Sequence, residues 1–542
     1  MSKTILIFYL PVALMFVSCA TQQQPQGGAR DTIPPKLIRA IPDTFSTNFR
    51  SKNISITFDE YFSLKNMNEQ LIVSPPLSSV PDIKVKNKTL LIQINDTLKD
   101  NTTYTFNFGN AITDANEGNA LENFQYVFST GAAIDTEKIS GKVLNALTLE
   151  PEKNIRVMLY HLNSDSLPYI DKPTYFGKTS EDGTFVIRNI AHGKYKLFVL
   201  KESNNNYLFD SRDESIAFAD TLIPSSSEML TLKLFTEALP QRLLRSYSEE
   251  PGKAVLIFQQ RVDSLKYKLI SPDPGIFSLE YSTMRDTVFL WYKNTSADSL
   301  SMKTISPSFS SDDTVSMQLW SLKKIQESKS QKSKREFKLL VSSNLSQAFN
   351  LNDTIRLTFS HPLSYAETEK INLIEDSTTL INFTSGFFDA LKRRMFIAAR
   401  WKDDKKYTLE IPPGTFTDTF SLKNDTVKSE FHTRQVKDYG SLKINLKTAG
   451  APSPKILQLM DEKEKVYRQT FFETDTTVTY EYLLPMTYRL KIIEDINKNG
   501  KWDTGNYLLH IQPEKVFYNP SKINVRANWD IETDWKIIPG AE

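Results

Sequence analysis

The sequence predicts an all-β chain of tandem β-sandwiches, and three observations carry that expectation. Apolar and polar residues alternate at period two in short runs, such as Ile54/Ile56/Phe58 and Tyr104/Phe106/Phe108, as strands with one buried face require. Turn-rich segments, such as Lys86-Asn87-Lys88 and residues 110–119, separate the runs with no helical stretch between them. The chain is 40% hydrophobic and carries 33 Phe and 22 Tyr in 542 residues, which suits a β-rich fold of several units. The 66 basic and 64 acidic residues leave a formal charge of +2, which excludes general nucleic-acid binding.

The chain opens with Lys3, an apolar run from Ile5 to Phe16, and Phe16-Val17-Ser18-Cys19. A thin positive start and a run too short to span a bilayer describe a secretory signal peptide over residues 1–18. Because the cut falls before the sole cysteine, the segment resembles the bacterial lipoprotein signal. That resemblance implies a covalent lipid on Cys19, which becomes the mature N-terminus. Several acyl chains on one cysteine anchor far better than a single chain. With Cys19 so used, no disulfide forms within the mature chain. Ala20 stands where Asp would favour inner-membrane retention, so the resemblance points to the outer membrane, with either face open. Residues 19–33, with Gln22-Gln23-Gln24-Pro25-Gln26-Gly27-Gly28, read as a flexible tether.

Pro34-Pro35 opens the first folded unit, 34–131, whose alternation recurs at Leu90/Ile92/Ile94 and Phe124/Tyr126/Phe128. Ile56-Thr57-Phe58-Asp59-Glu60-Tyr61, Asn101-Thr102-Thr103-Tyr104, Gly109, Asp114 and Phe128-Ser129-Thr130-Gly131 together resemble the Ig-like domain of S-layer and Bacteroidetes envelope lipoproteins. The second unit, 137–236, runs from Gly141-Lys142-Val143 through the turn Glu181-Asp182-Gly183 to Gly193-Lys194-Tyr195. Its order resembles the transthyretin-like sandwich of carboxypeptidases, which implies a spacer and docking surface without chemistry. Residues 237–322 read as a third sandwich of no named family, from Val255/Ile257, Val288/Leu290 and Val315/Met317/Leu319. A basic linker, 323–337, follows and carries Lys323-Lys324, Lys329, Lys332 and Lys334-Arg335. It suits either phosphate-bearing headgroups or plain solvation.

The chain then starts again. Ile355/Leu357/Phe359 echoes Ile54/Ile56/Phe58, and Lys406-Tyr407-Thr408-Leu409 echoes Thr103-Tyr104-Thr105-Phe106, giving a degenerate Ig-like unit over 338–436. Residues 437–542 repeat the transthyretin-like order through Leu442/Ile444/Leu446 and Tyr488/Leu490/Ile492.

One loop carries chemical content. Asp495, Asn497, Asn499 and Asp503 stand at positions 1, 3, 5 and 9, Gly500 at 6, and the Lys501 carbonyl at 7, the spacing of a loop around calcium. Asn506 replaces the usual Glu at position 12, so affinity is modest, ~10⁻⁴ to 10⁻³ M. The same residues also suit an Asx-rich turn that caps its own backbone. A weaker copy lies at Glu202, Asn204, Asn206 and Asp210, with Tyr207 in place of Gly and Asp213 at position 12.

No catalytic pattern emerges. The histidines at 161, 192, 361, 432 and 510 have no ligand spacing, and no Gly-x-Ser-x-Gly elbow occurs. Asp59-Glu60 alternate across a strand and so point to opposite faces. Triplets such as Asp96-Thr97-Leu98 and Asp286-Thr287-Val288 are similar to the O-glycosylation site of exported Bacteroidetes proteins, and equally to turns entering strands. The expected role is a lipid-anchored, non-enzymatic binding or scaffold protein of the outer envelope. It would contact the membrane through lipid and other envelope proteins directly, with no small-molecule substrate. The alternatives are a subunit of an outer-membrane assembly or export complex, and an accessory part of a glycan-processing hydrolase.

Overall fold

The computed structural model describes residues 31–537, apart from 162, 205, 212, 240, 271–272, 306–313, 322–336 and 449–451. Cys19, the signal segment, the tether up to residue 30 and the basic stretch from Lys323 to Arg335 lie outside the described residues. The chain is all-β, with 49% of it in strands and 3% in helix. No described helix is long and apolar enough to cross a membrane.

The first unit packs one sheet, ordered Leu37–Ile41, Asn53–Phe58, Thr89–Gln93, Asp82–Lys86, on a second, ordered Ile72–Ser74, Thr103–Asn107, Gln125–Ser129. Between them the alternating residues close one core, in which Ile56, Phe58, Leu90, Phe106, Phe108 and Phe128 are fully buried. A ribbon of Phe62–Leu64 against Ile112–Asp114 caps this sandwich. Asp114 anchors the following turn by accepting the N–H groups of Asn116, Glu117, Gly118 and Asn119. Its side chain is removed from water, which works against ionisation, but these four donors hold its pKa at about 2. Asp59 and Glu60 sit in a bend past the end of their strand. There Asp59 accepts the N–H of Lys36 at 2.7 Å, so the opposite-faces argument does not apply to them.

The third unit repeats that strand order. Leu243–Glu250, Lys253–Phe258, Thr287–Tyr292 and Ile276–Tyr281 form its first sheet, and Lys266–Leu269, Ser299–Ile305 and Thr314–Gln318 its second. The strand order of its two sheets therefore matches that of the first unit. The expected register is off by one in Lys253–Phe258. Ala254, Leu256 and Phe258 face the core, while Val255 is buried on the opposite face. Both faces of this strand are covered, so its apolar run has no readable period.

The fourth unit has the same core arrangement again, with Val341–Ser343, Ile355–Phe359, Arg394–Ala398 and Thr384–Phe387 in one sheet. The second sheet centres on Asn372–Glu375, Lys406–Ile411 and Val427–Thr433. Two of its side-chain hydrogen bonds reproduce those of the first unit. Tyr104 Oη accepts the N–H of Lys99, and Tyr407 Oη that of Lys402. Thr130 Oγ1 donates to the Lys99 carbonyl, as Thr433 Oγ1 does to that of Lys402. A leftover hydrogen bond of this kind fixes a buried polar tip that would otherwise be costly.

The second and fifth units share another topology. In the second, Glu137–Asn145 pairs antiparallel with Thr184–Ile190 and parallel with Leu230–Thr236, while Arg156–Tyr160 lies between Tyr175–Lys178 and Lys194–Lys201. In the fifth, Gly440–Thr448 pairs in the same two ways with Thr476–Leu483 and Asp530–Ile537. Lys455–Met460 likewise lies between Val466–Phe472 and Met486–Glu494. Tyr195 Oη donates to the carbonyl four residues back, Ala191, and Tyr488 Oη to Leu484.

The units are also docked. Between the third and fourth, Arg393 donates to Glu280 at 2.8 Å and lies 5.0 Å over the Trp291 ring. Gly252, at φ +84°, lies so close to Phe420 that a Cβ would stand 2.2 Å from its ring. Glycine is needed there for both the turn and the approach. His361, fully buried, lies in the same seam between Asp418 of its own unit at 2.6 Å and Glu250 of the third at 3.4 Å.

Candidate functional site

The loop after Met486–Glu494 gathers most of the chemically competent groups. Asp495 is 2% exposed, and its carboxylate accepts the N–H groups of Asn499 and Gly500, each at 2.9 Å. Gly500 holds φ +80°, which permits the inward fold. The Asn497 amide donates to Asp503 at 2.6 Å and the Asn499 amide at 2.5 Å. Their oxygens cap the N–H groups of Asn499 and Lys501. Lys501 Nζ lies 3.3 Å from Asp503. The loop in this structure thus closes on itself as linked Asx turns, and a cation would require both amides to turn their oxygens inward. Among the described residues no group of three His, Cys, Asp or Glu side chains is gathered in metal-holding fashion.

The residue that completes the ring is Glu514. It accepts the N–H of Ile496 at 2.9 Å and of Asp503 at 3.0 Å, bridging the two ends of the loop. Burial raises its pKa, the two N–H donors pull it down, and the charges of Asp503 and Asp495 raise it again, for a net upward shift. The charges of Asp503 and Asp495 thus act on Glu514, with Lys501 Nζ standing beside Asp503.

The copy in the second unit has the same construction. Glu202 takes the place of Asp495 and accepts the N–H of Tyr207 at 2.8 Å. Asn204 and Asn206 donate to Asp210 at 3.0 and 2.6 Å. Glu214 bridges the N–H groups of Ser203 and Asp210, as Glu514 does in the other loop. Asp213, expected at position 12, instead binds Ser211 Oγ. Sequence reasoning missed both glutamates. Glu214 follows Asp210 by four positions, but an inserted hairpin places Glu514 eleven beyond Asp503, so no fixed spacing reveals them.

The two loops differ in charge. Arg156 pairs with Glu202 inside the second unit and stacks 4.4 Å from the Tyr207 ring. That guanidinium already supplies a cation to the loop. Register places Ile456 at the corresponding position of the fifth unit, opposite Ile493 as Arg156 is opposite Leu200. Ile456 is fully buried and offers no charge.

The inserted hairpin has a second use. Tyr507 is fully buried in the second unit, against Phe198 and Phe218 at ring distances of 5.2 and 5.1 Å. Its hydroxyl donates to the Asp165 carbonyl at 2.9 Å, and its N–H to Glu237 at 2.6 Å. Thr504 and Gln512 add bonds to the Thr236 and Phe218 carbonyls. The loop and its hairpin are thus the joint between units that are almost 300 residues apart in sequence.

A family model for the bacterial Ig-like domain matches residues 31–130. No curated protein matches the chain. Among solved structures the chain is similar to native alpha-2-macroglobulin from Escherichia coli, at 10% identity over 34% of this chain and 91% of that one, with a TM-score of 0.18. It is similar to the surface layer protein SbsC at 9% identity, covering 91% and 67%, with a TM-score of 0.14. The major pilin subunit of Bacillus cereus is similar at 9% identity, covering 74% and 99%, with a TM-score of 0.13.

Proposed function

We propose that this chain is a lipid-anchored, non-enzymatic scaffold or binding protein of the bacterial outer envelope. The observation that carries the reading is the docking of one sandwich unit onto another through buried contacts, at Tyr507 and at His361. Such seams hold a defined shape, which a presenting scaffold needs and a string of loose modules lacks. The bacterial Ig-like domain at residues 31–130 suits that role, and the Cys19 signal supplies the anchor. The test is to isolate the chain from gently solubilised membranes. Stable co-purification with other envelope proteins is expected, and a chain that always elutes alone overturns the scaffold reading.

Anchoring has its own test. Cys19→Ser should remove labelled fatty acid and release the chain from membranes or leave it unprocessed. Full lipid labelling of that variant overturns the anchor.

The Asp495 loop is proposed as a weak calcium site, with Asp495, Asn497, Asn499, the Lys501 carbonyl and Asp503 joined by Glu514. Ile456, at the position Arg156 holds in the sister loop, supports it, because no guanidinium stands beside Asp495 as Arg156 stands beside Glu202. The sister loop at Glu202, already neutralised, is not expected to bind. Calcium at about 10 mM should stabilise the full chain by ~1.4 to 2.7 kcal/mol, for a Kd of ~10⁻³ to 10⁻⁴ M. Asp495→Ala with Asp503→Ala should abolish that shift, and magnesium should do less because it demands a stricter octahedron. Identical melting in calcium and in chelator would show the loop to be a turn only. A raised Glu514 pKa destabilises the calcium-free fold as pH rises from the ordinary carboxylate range through the folded value. Calcium should flatten that slope.

A further inference from the structure

We propose that Asn499 is a self-modifying site, which the folded loop converts to aspartate or isoaspartate through a succinimide formed with Gly500. Asn499-Gly500 is the sole Asn-Gly pair in the chain. In such a pair the following backbone nitrogen reaches the side-chain amide carbon most easily, because glycine has no Cβ to shield it. Asn499 is exposed. Beside Gly500, chain neighbours apart, only the exposed Phe471 ring comes near, 3.7 Å from where a Cβ would stand.

Three bonds of the closed loop point the way this reaction needs. The Gly500 N–H, on the attacking atom, donates to Asp495 Oδ2 at 2.9 Å, so a buried carboxylate stands where the proton must go. Asn499 Oδ1, on which negative charge develops, accepts the Lys501 N–H at 3.0 Å. Asn499 Nδ2, the leaving nitrogen, donates to Asp503 Oδ2, which holds the amide in one orientation. In the step itself the Gly500 nitrogen bonds to Cγ of Asn499 and gives its proton to Asp495. The Cγ–Nδ2 bond breaks, and the departing nitrogen regains a proton from Asp495 and leaves as ammonia. Water then opens the ring at either carbonyl. The balance is one water consumed and one ammonia released, with nothing oxidised or reduced.

The sister loop is an internal control. The Tyr207 N–H donates to Glu202 at 2.8 Å, Asn206 Oδ1 accepts the Leu208 N–H at 2.7 Å, and the Asn206 amide donates to Asp210 at 2.6 Å. All three bonds recur, but the attacking residue there carries a bulky side chain, whose ring is stacked with Arg156. Asn206 should therefore persist. The sole Asp-Gly pair, Asp182-Gly183, is protected in another way. Hydroxyls of Thr184 and Ser180 and the Thr184 N–H hold the Asp182 pKa at about 2, and an ionised carboxylate is a poor target for attack.

Conversion changes what the loop can do. A carboxylate at 499 cannot donate to Asp503 and faces it with like charge. The loop then loses the bond that closes it, just before the hairpin that carries Tyr507 into the second unit.

The test is ageing of the freshly purified full chain in mildly alkaline buffer with chelator, which keeps it independent of the calcium reading of the same loop. Peptide mass spectrometry should show a gain of one mass unit at Asn499 and none at Asn206, with isoaspartate identified by electron-transfer fragmentation. Asp495→Asn, which keeps the shape and removes the proton acceptor, should slow conversion about tenfold or more. The chain unfolded in guanidinium should convert more slowly than the folded chain, since it lacks the held bonds. No gain at Asn499, an equal gain at Asn206, an unchanged rate in Asp495→Asn, or a rate in guanidinium that matches or exceeds the folded one overturns the proposal.

Discussion

Tyr507→Ala is expected to cost the full chain about 3–5 kcal/mol, the range for removing a large buried aromatic side chain. The ring sits fully buried in a foreign unit, among Phe198, Phe218 and Tyr169. Its loss leaves a cavity in the second unit and frees the hairpin of the fifth. The loss should fall on the joint more than on either core, because each core keeps its own cluster. The expected readout is a lower first melting transition together with new protease cleavage within residues 504–513. Tyr507→Phe keeps the ring and removes only the bond to the Asp165 carbonyl, so it should cost about 1 kcal/mol. If Tyr507→Ala melts and cleaves like the parent chain, the joint is not held by this residue.

That joint was invisible in the sequence, and the reason is physical. Period-two alternation reports which face of a strand leaves water, and Ile54, Ile56 and Phe58 are indeed all buried in one core. The all-β class was legible on that basis, and the Ig-like character, matched by the family model over residues 31–130, came from the resemblance of motifs such as Asn101-Thr102-Thr103-Tyr104 and Phe128-Ser129-Thr130-Gly131. Alternation fails where both faces of a strand leave water, as at Val255, since both sets of side chains are then apolar. It fails again for loops whose partners lie far along the chain. Tyr507 reads as one aromatic residue in a turn, and Gln512 gives no hint of the Phe218 carbonyl. The cation loop was half legible. Asp495, Asn497, Asn499 and Asp503 stand in rigid local spacing, but Glu514 enters across an insertion. The Asp-Thr triplets lean toward turn chemistry, because Asp96 accepts the Thr97 N–H and Asp286 the Thr287 hydroxyl.

His361 governs the other seam, and its removal should also have a large effect. The imidazole has no exposure and bridges Asp418 and Glu250, which belong to different units. Lys253 and Arg393 lie nearby over the Trp291 ring, and Trp291 itself stands 6.4 Å from the imidazole. Burial disfavours the imidazolium, but the two carboxylates outweigh it, so the pKa lies above the ordinary 6.5. The sign follows from a folded pKa higher than the unfolded one. The stabilisation is complete below pH 6.5 and is lost as pH rises through the folded value. His361→Ala strands the Asp418 carboxylate without its partner and should cost about 3–5 kcal/mol. His361→Gln, which still fills the space, should cost less and should flatten the pH dependence. Denaturant melts of the full chain at a series of pH values from about 6 to 9 would measure both effects. The parent chain should lose stability across that range while the Gln variant does not. Parallel slopes for the two proteins would mean that the seam is held without a charged His361.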